Sequence, residues 1–342
     1  MENIRLGYAC INMTLREDDI MTNRTLIMAT CNKLELHKTG FGIRYMKQLA
    51  TENIKDLLKI LKWNEEHGLR LFRITSNLFP HITNPTLQAK YPTETYFESD
   101  IRFAEEDLLK VGKYARKHNH RLSFHVDHFV QLGTLRPHVL ANSIKDLNLH
   151  AKIIKAMGYT MTDINPPIII IHCGGTFGNK TESLARWIKE FKTLQPELQF
   201  ALALENDENS CSINDLLQLC ETNNILFCLD VFHNQVSKDQ SEITPELFKR
   251  CMNTWIKKGL TPKIHISEQK EGGRRGAHGD VVSEFPPYLV SILKSEHVGT
   301  NPNFKLDMMI EAKNKELATL SLYEKYFDLV EINNKKIWLL NW

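Results

Sequence analysis

Pro167-Ile168-Ile169-Ile170-Ile171-His172 holds four consecutive isoleucines with no polar residue between them. A strand with one face in water alternates apolar and polar side chains, so a run of this kind belongs to a strand covered on both faces. Similar β-branched or apolar runs recur at residues 5–11, 70–75, 121–127, 199–206, 226–233, 262–267 and 304–312, which with 167–173 makes eight strand candidates. Between them lie stretches of helical periodicity at 54–67, 104–117, 142–157, 180–193, 213–223 and 245–258. Parallel strands need a crossover of about a dozen residues or more, usually a helix. Eight such repeats in 342 residues predict an α/β fold, a single (β/α)8 TIM barrel with residues 1–342 as one domain. Two segments exceed the repeat, 81–100 after the second strand and 269–280 after the seventh, and both fall on the side of a barrel where chemistry sits.

The composition, 42% hydrophobic and 25% charged, is that of a globular chain able to bury a large core. No charge-free apolar run approaches the roughly 18 to 20 residues of a membrane span, and the start MENIRLGYACI lacks a signal-peptide layout. An intracellular, non-secreted protein with no membrane contact is expected, acting as a monomer. Seven cysteines, an odd number without a CxxC pair, argue against a disulfide framework or a zinc ribbon and predict reduced thiols. A formal charge of +2 is too small to announce a polyanion partner, so nucleic-acid binding has to be argued from a local site.

Ligand-type residues fall at the C-terminal ends of consecutive strand candidates: His125, His172, Glu205, Asp230 with His233, His265 and Glu311. In a parallel barrel those ends share one face. A single strand-end histidine is ordinarily hydrogen-bonded structure. Carboxylates on apolar strands, as in Leu-Ala-Leu-Glu205 and Met-Met-Ile-Glu311, are costly to bury unless paired or metal-bound. The set therefore points to divalent metals, and imidazole with carboxylate suits manganese, zinc or iron in an open, catalytic site. Two or three such ions suit in-line displacement at phosphorus, so phosphodiester hydrolysis is one natural chemistry.

The motifs Arg5-Leu-Gly-Tyr8-Ala-Cys-Ile-Asn12-Met-Thr-Leu15, Trp63-Asn64-Glu65, Arg121-Leu-Ser-Phe-His125, Ile171-His172-Cys-Gly-Gly175, Leu204-Glu205-Asn206-Asp207 and Asp230-Val-Phe-His233 resemble those of UV damage endonucleases. So do Lys263-Ile-His265-Ile-Ser267, Ala277-His278-Gly-Asp280 and Glu311-Ala-Lys-Asn-Lys315, in order from Arg5 to about Lys315. The resemblance implies a barrel related to endonuclease IV that nicks damaged double-stranded DNA 5′ to ultraviolet photoproducts, leaving a 3′-hydroxyl and a 5′-phosphate. It implies divalent metal ions, manganese first with zinc or magnesium as alternatives, at up to three sites. His125, His172 and Glu205 would hold one ion, Glu205 bridging to a second bound by Asp230, His265 and Glu311, and a third would involve His233 and His278. Glu205 and Lys263 would be catalytic, Lys263 matching a family lysine that is carbamylated near the metals. An ordinary strand lysine is the alternative.

The resemblance also makes Tyr8, Asn12 and Phe129 DNA-facing, although an aromatic at a strand end is also ordinary barrel packing. Where the family reads His-Pro-Gly-Gln-aromatic, this chain has His125-Val126-Asp127-His128-Phe129, so His128 replaces the glutamine that pushes into the duplex. An expected histidine before Pro85 is Asn84, with His81 nearby as a possible substitute. Arg274 and Arg275, in Lys270-Glu-Gly-Gly-Arg-Arg-Gly276, would reach DNA phosphates unless the loop is a solvated charge run. The competing reading is a metal-dependent sugar isomerase or epimerase on the same kind of barrel.

Overall fold

The structure is a computed structural model, and it describes residues 3–37, 41–295 and 304–341. Eight strands close into a parallel barrel in sequence order: β1 (Ile4–Ala9), β2 (Leu71–Ile74), β3 (Arg121–His125), β4 (Ile168–His172), β5 (Leu202–Glu205), β6 (Leu226–Asp230), β7 (Lys263–Ile266) and β8 (Leu306–Ile310). Each falls on one of the eight expected runs, β1 starting one residue early at Ile4 and the other seven lying inside their limits. β8 pairs with β1 through Ile4 opposite Leu306 and Gly7 opposite Met309, which closes the ring.

Pairing register decides which side chains point inward. His172 lies opposite Glu205, Asp230 opposite His265, and Arg5 opposite Asp307. Because side chains alternate along a strand, residues joined by these registers share one face of the sheet. Bonds between non-neighbouring strands show that this face is the interior: His125 on β3 reaches Glu205 on β5, and Lys263 on β7 donates to Ser123 on β3. The opposite faces of the strands, with Leu6, Phe72, Phe124, Ile169, Leu204 and Ile264 fully or almost fully buried, form the layer that the surrounding helices cover.

Those helices include Phe41–Glu66, Glu105–Lys117, Pro137–Ala156, Lys180–Phe191, Ile213–Asn223, Pro245–Ile256 and Lys315–Tyr326. Beyond them an antiparallel hairpin, β9 (Phe327–Ile332) with β10 (Lys335–Leu340), lays Trp338 flat on Tyr323 at 4.9 Å between ring centres and gives its indole N–H to the His67 carbonyl. Among the described residues no helix is long and apolar enough to cross a membrane.

Three expectations need correction. Residues 199–201, read as the start of strand five, are the end of the short helix Pro196–Ala201, and the strand begins at Leu202. Strand six ends at Asp230, because Val231–Val236 turns into a helix that the Asp230 side chain caps by accepting the His233 N–H. The thiols are not all reduced: Cys173, just past β4, and Cys211, in the loop after β5, are joined by a disulfide across a Cα separation of 6.7 Å. Geometry brings together two cysteines that lie 38 residues apart in sequence, which spacing alone does not reveal.

Candidate metal centre

Glu205 stands at the centre of the barrel mouth with no exposed surface. Its Oε2 is 2.8 Å from His125 Nε2 and 3.7 Å from His172 Nε2, while its Oε1 is 2.7 Å from His265 Nδ1. His265 Nδ1 also faces Glu311 Oε1 at 3.3 Å and Asp230 Oδ2 at 4.0 Å. His233 Nδ1 lies 3.6 Å from Asp230 Oδ2, and His278 Nδ1 lies 3.6 Å from Glu311 Oε2. All eight residues expected as ligands therefore meet in one connected group, six of them delivered by strand ends, His233 by the helix after β6 and His278 by the long loop after β7.

The electrostatics follow from burying several carboxylates together. Burial opposes the charge on Glu205, but His265, His172 and His125 outweigh it and hold its pKa well below the ordinary carboxylate value. Asp230 goes the other way: burial, with Glu205 and Glu311 close by, raises it well above that value although His233 opposes the rise. Burial lowers His172 to about 3, whereas His233 rises to about 10 because Asp230, Glu205 and Glu311 overcome the same penalty.

The donor set fits divalent cations. Within the cage three groups have ligand atoms within 4.8 Å of one another: His125 with Glu205 and His265, Glu205 with Asp230 and His233, and Asp230 with His265 and Glu311. The fully buried Asp230 Oδ2 has no hydrogen-bond donor, an arrangement that costs free energy unless a cation or proton supplies the missing charge. Glu205 belongs to two of these groups and turns its two oxygens to different histidines, Oε2 to His125 and Oε1 to His265. His172 faces Glu205 from the side but lies outside the three tightest groups.

A cavity of about 560 Å³ opens over this cage, lined among others by Arg73, His128, Glu208 and Arg274. His128 lines the cavity and stacks on His172 with ring centres 5.2 Å apart, and Phe129, next in the chain, is 54% exposed. Arg275 gives an N–H to the Glu208 carbonyl. Two expected DNA contacts are placed otherwise. Tyr8 and Asn12 have no exposed surface; the Tyr8 hydroxyl donates to Asn64 Oδ1 at 2.6 Å and accepts from Asn12 Nδ2 at 2.9 Å, while Asn12 caps the short helix Met13–Arg16. They brace the wall beside the mouth and do not face a ligand. Asn84 likewise caps the helix Pro85–Lys90, and His81 bonds to the Leu26 carbonyl, so neither lines the cavity.

Lys263 is fully buried below the cage, held by Ser123, and burial lowers it to about 8. Arg73 at the end of β2 was not anticipated. It is ion-paired to Glu311, and a cationic residue inside the apolar run Leu71-Phe72-Arg73-Ile74 was the available signal. Glu208, whose Oε2 is 3.7 Å from His233 Nε2, was missed because it lies three residues beyond a strand end.

A parallel eight-stranded barrel with buried histidines and carboxylates gathered at the C-terminal ends of its strands belongs to the class of TIM-barrel enzymes, whose active sites occupy that face. Residues 4–342 match the family described as UV-endonuclease UvdE, and the chain belongs to it. A protein of Acanthamoeba polyphaga mimivirus is 42% identical over 326 residues, covering 95% of this chain and 92% of its own. The UV-damage endonuclease of Schizosaccharomyces pombe is 35% identical over 332 residues; the match takes in 94% of this chain but 50% of that protein, so the chain spans about half of this relative. The crystal structure of SacUVDE superposes with a TM-score of 0.73 at 25% identity, over 93% of this chain and 96% of that one. The family is one of endonucleases, which displaces the sugar-isomerase alternative.

Proposed function

We propose that this chain is a divalent-metal-dependent endonuclease that nicks double-stranded DNA 5′ to ultraviolet photoproducts or other distorting lesions, by hydrolysis that leaves a 3′-hydroxyl and a 5′-phosphate. The observation that carries the reading is the cage itself: three overlapping ligand groups, two of which share Glu205, lie beneath a cavity lined by Arg73, His128 and Arg274. Cations bound there, manganese with zinc or magnesium as alternatives, supply Lewis acidity to a phosphodiester and make water a stronger acid.

The chain's own groups do the rest. Glu205 presents one oxygen toward His125 and the other toward His265, which fixes the spacing of whatever it bridges. Arg73 holds Glu311 in place and leaves further guanidinium donors near the cavity floor. His128 and Phe129 stand where an unstacked base or a kinked step would meet the protein, and Arg274 lines the same cavity as a phosphate contact.

The test is incision of an end-labelled duplex carrying one defined photoproduct, beside undamaged and abasic duplexes. Metal-stripped protein is expected to leave all three intact, and added Mn²⁺ to restore a single nick on the 5′ side of the lesion. Full incision by exhaustively stripped protein would overturn the metal-dependent reading, and equal cutting of all three duplexes would overturn the lesion specificity.

A further inference from the structure

We propose that Glu208 is a carboxylate ligand of a divalent cation held with His233 and His278 on the outer side of the cage. This rests on the metal-dependent reading above and adds to it a residue that the strand-end pattern does not contain.

His233 Nδ1 faces the inner carboxylates Asp230 and Glu205 at 3.6 and 3.9 Å but is bonded to the Asn206 carbonyl at 3.0 Å, so on this reading His233 leaves the inner group and offers Nε2 to an outer cation. That nitrogen is 3.7 Å from Glu208 Oε2. Two ligand atoms each about 2.1 Å from one cation stand about 3 Å apart, so a small closing movement brings both within reach. The ring centres of His233 and His278 are 6.1 Å apart. An imidazole bound through nitrogen has its centre about 3.2 Å from the cation, so this spacing suits one ion between the two rings.

The position of Glu208 is fixed by three further contacts. Its Oε1 accepts from Asn209 Nδ2 at 2.7 Å, which leaves Oε2 turned toward His233. Its carbonyl accepts from Arg275 at 3.0 Å, which ties the loop after β5 to the loop that carries His278. Gly276, at φ +81°, lies so close that a Cβ there would be 3.2 Å from Glu208 Oε1. Of the other nearby carboxylates, Asp230 uses one oxygen to cap the helix that carries His233 and turns the other into the inner cage, while Glu311 is paired with Arg73 and has Oε2 3.6 Å from His278 Nδ1. Two imidazoles and one carboxylate on one side of an ion leave its remaining positions open to the cavity, the arrangement suited to a catalytic rather than a closed structural site.

The experiment is Mn²⁺ binding to the full chain, followed through the electron paramagnetic resonance signal of free Mn²⁺, for the parent, Glu208→Gln and Glu208→Asp. Gln keeps the size and can still accept from Asn209 but loses the charge; Asp keeps the charge. The parent is expected to bind three ions per chain. Glu208→Gln is expected to bind one fewer, or to hold the weakest ion at least tenfold less tightly, with Glu208→Asp recovering part of the loss and the metal-free proteins melting together. Equal stoichiometry and affinity in the parent and Glu208→Gln would overturn the proposal, and so would equal losses in Gln and Asp, which would mark a structural effect. A parent that binds only two ions would also overturn it while leaving the inner cage intact. A parent that binds none would bring down the metal-dependent reading as well.

Discussion

Glu205 takes His125 on one oxygen and His265 on the other, and its side chain is buried, so neither contact can be exchanged for water. Replacing it by Gln keeps the volume but leaves the two cations of the proposed pair facing each other with less compensation. Glu205→Gln is expected to lose at least one Mn²⁺ per chain and about three orders of magnitude or more in nicking rate, with the metal-free protein still folded. His128→Gln replaces no proposed ligand, although it removes the ring stacked on His172, and should change lesion preference more than turnover. Metal content, melting curves and nicking rates of the two variants check this together, and a Glu205→Gln protein that keeps its metals and cuts at the parent rate would refute the bridging role. Residues such as Glu205, Asp230 and Glu311 could be read from sequence because each ends an apolar strand, where an unpaired carboxylate is expensive. Glu208 could not, because its placement depends on Arg275 in a distant loop. Tyr8 shows the opposite failure: a motif residue suggested a surface role, but its hydroxyl finds Asn64 and Asn12 inside the wall.

At the level of elements, the strands were legible because barrel strands are short apolar runs bounded by polar residues, and β2 to β8 fall within the expected limits while β1 begins one residue before them. The start of the fifth run failed because a few apolar residues satisfy helix and strand equally well, and Pro196 favours a helix start. The C-terminal hairpin turns at Asn333 and Asn334, both with positive φ, as a two-residue hairpin turn requires. That hairpin is tied to the barrel through the junction of helix Phe41–Glu66 and β2. There Arg70 makes a two-pronged pair with Glu65 at 2.8 and 2.9 Å and gives another N–H to the Lys336 carbonyl. Burial resists the charge on Glu65, but the bonds from His120 and Arg70 outweigh it and lower its pKa from 4.5 to about 2. A carboxyl whose folded pKa is depressed contributes stability that is complete above its unfolded value and is lost as pH falls toward its folded one. The melting-temperature gap between the parent and Glu65→Gln should therefore be several degrees at neutral pH and should narrow steadily below about pH 4.5. Thermal melts across pH 3 to 7 check it, and a gap independent of pH would rule out the ionic origin.

For the molecule as a whole, the inside of the barrel is layered. The metal cage occupies the mouth, and beneath it lies a second charged layer in which Asp307 on β8 takes Arg5 on β1 at 2.7 Å and faces Arg121 on β3 at 3.5 Å. Asp307 and Arg121 are almost entirely buried, and Arg5 keeps 7% exposure. One carboxylate thus serves guanidinium groups from two other strands, and its pair with Arg5 lies across the seam where the ring closes. Asp307→Asn would take from Arg5 and Arg121 the carboxylate they share, and breaking a buried ion pair typically costs about 3–5 kcal/mol. The same residue lies four positions before Glu311 on β8, about 13 Å along the strand, far enough for its effect to be separable from the chemistry. Asp307→Asn is expected to unfold at a clearly lower temperature and lower urea concentration than the parent, while at 25 °C it binds the same number of Mn²⁺ ions and nicks a damaged duplex within about twofold of the parent rate. Calorimetry beside the incision assay reads both quantities. An unchanged melting point would show that the charged floor does not hold the barrel closed, and a collapse in nicking at full metal content would show that floor and mouth act as one unit.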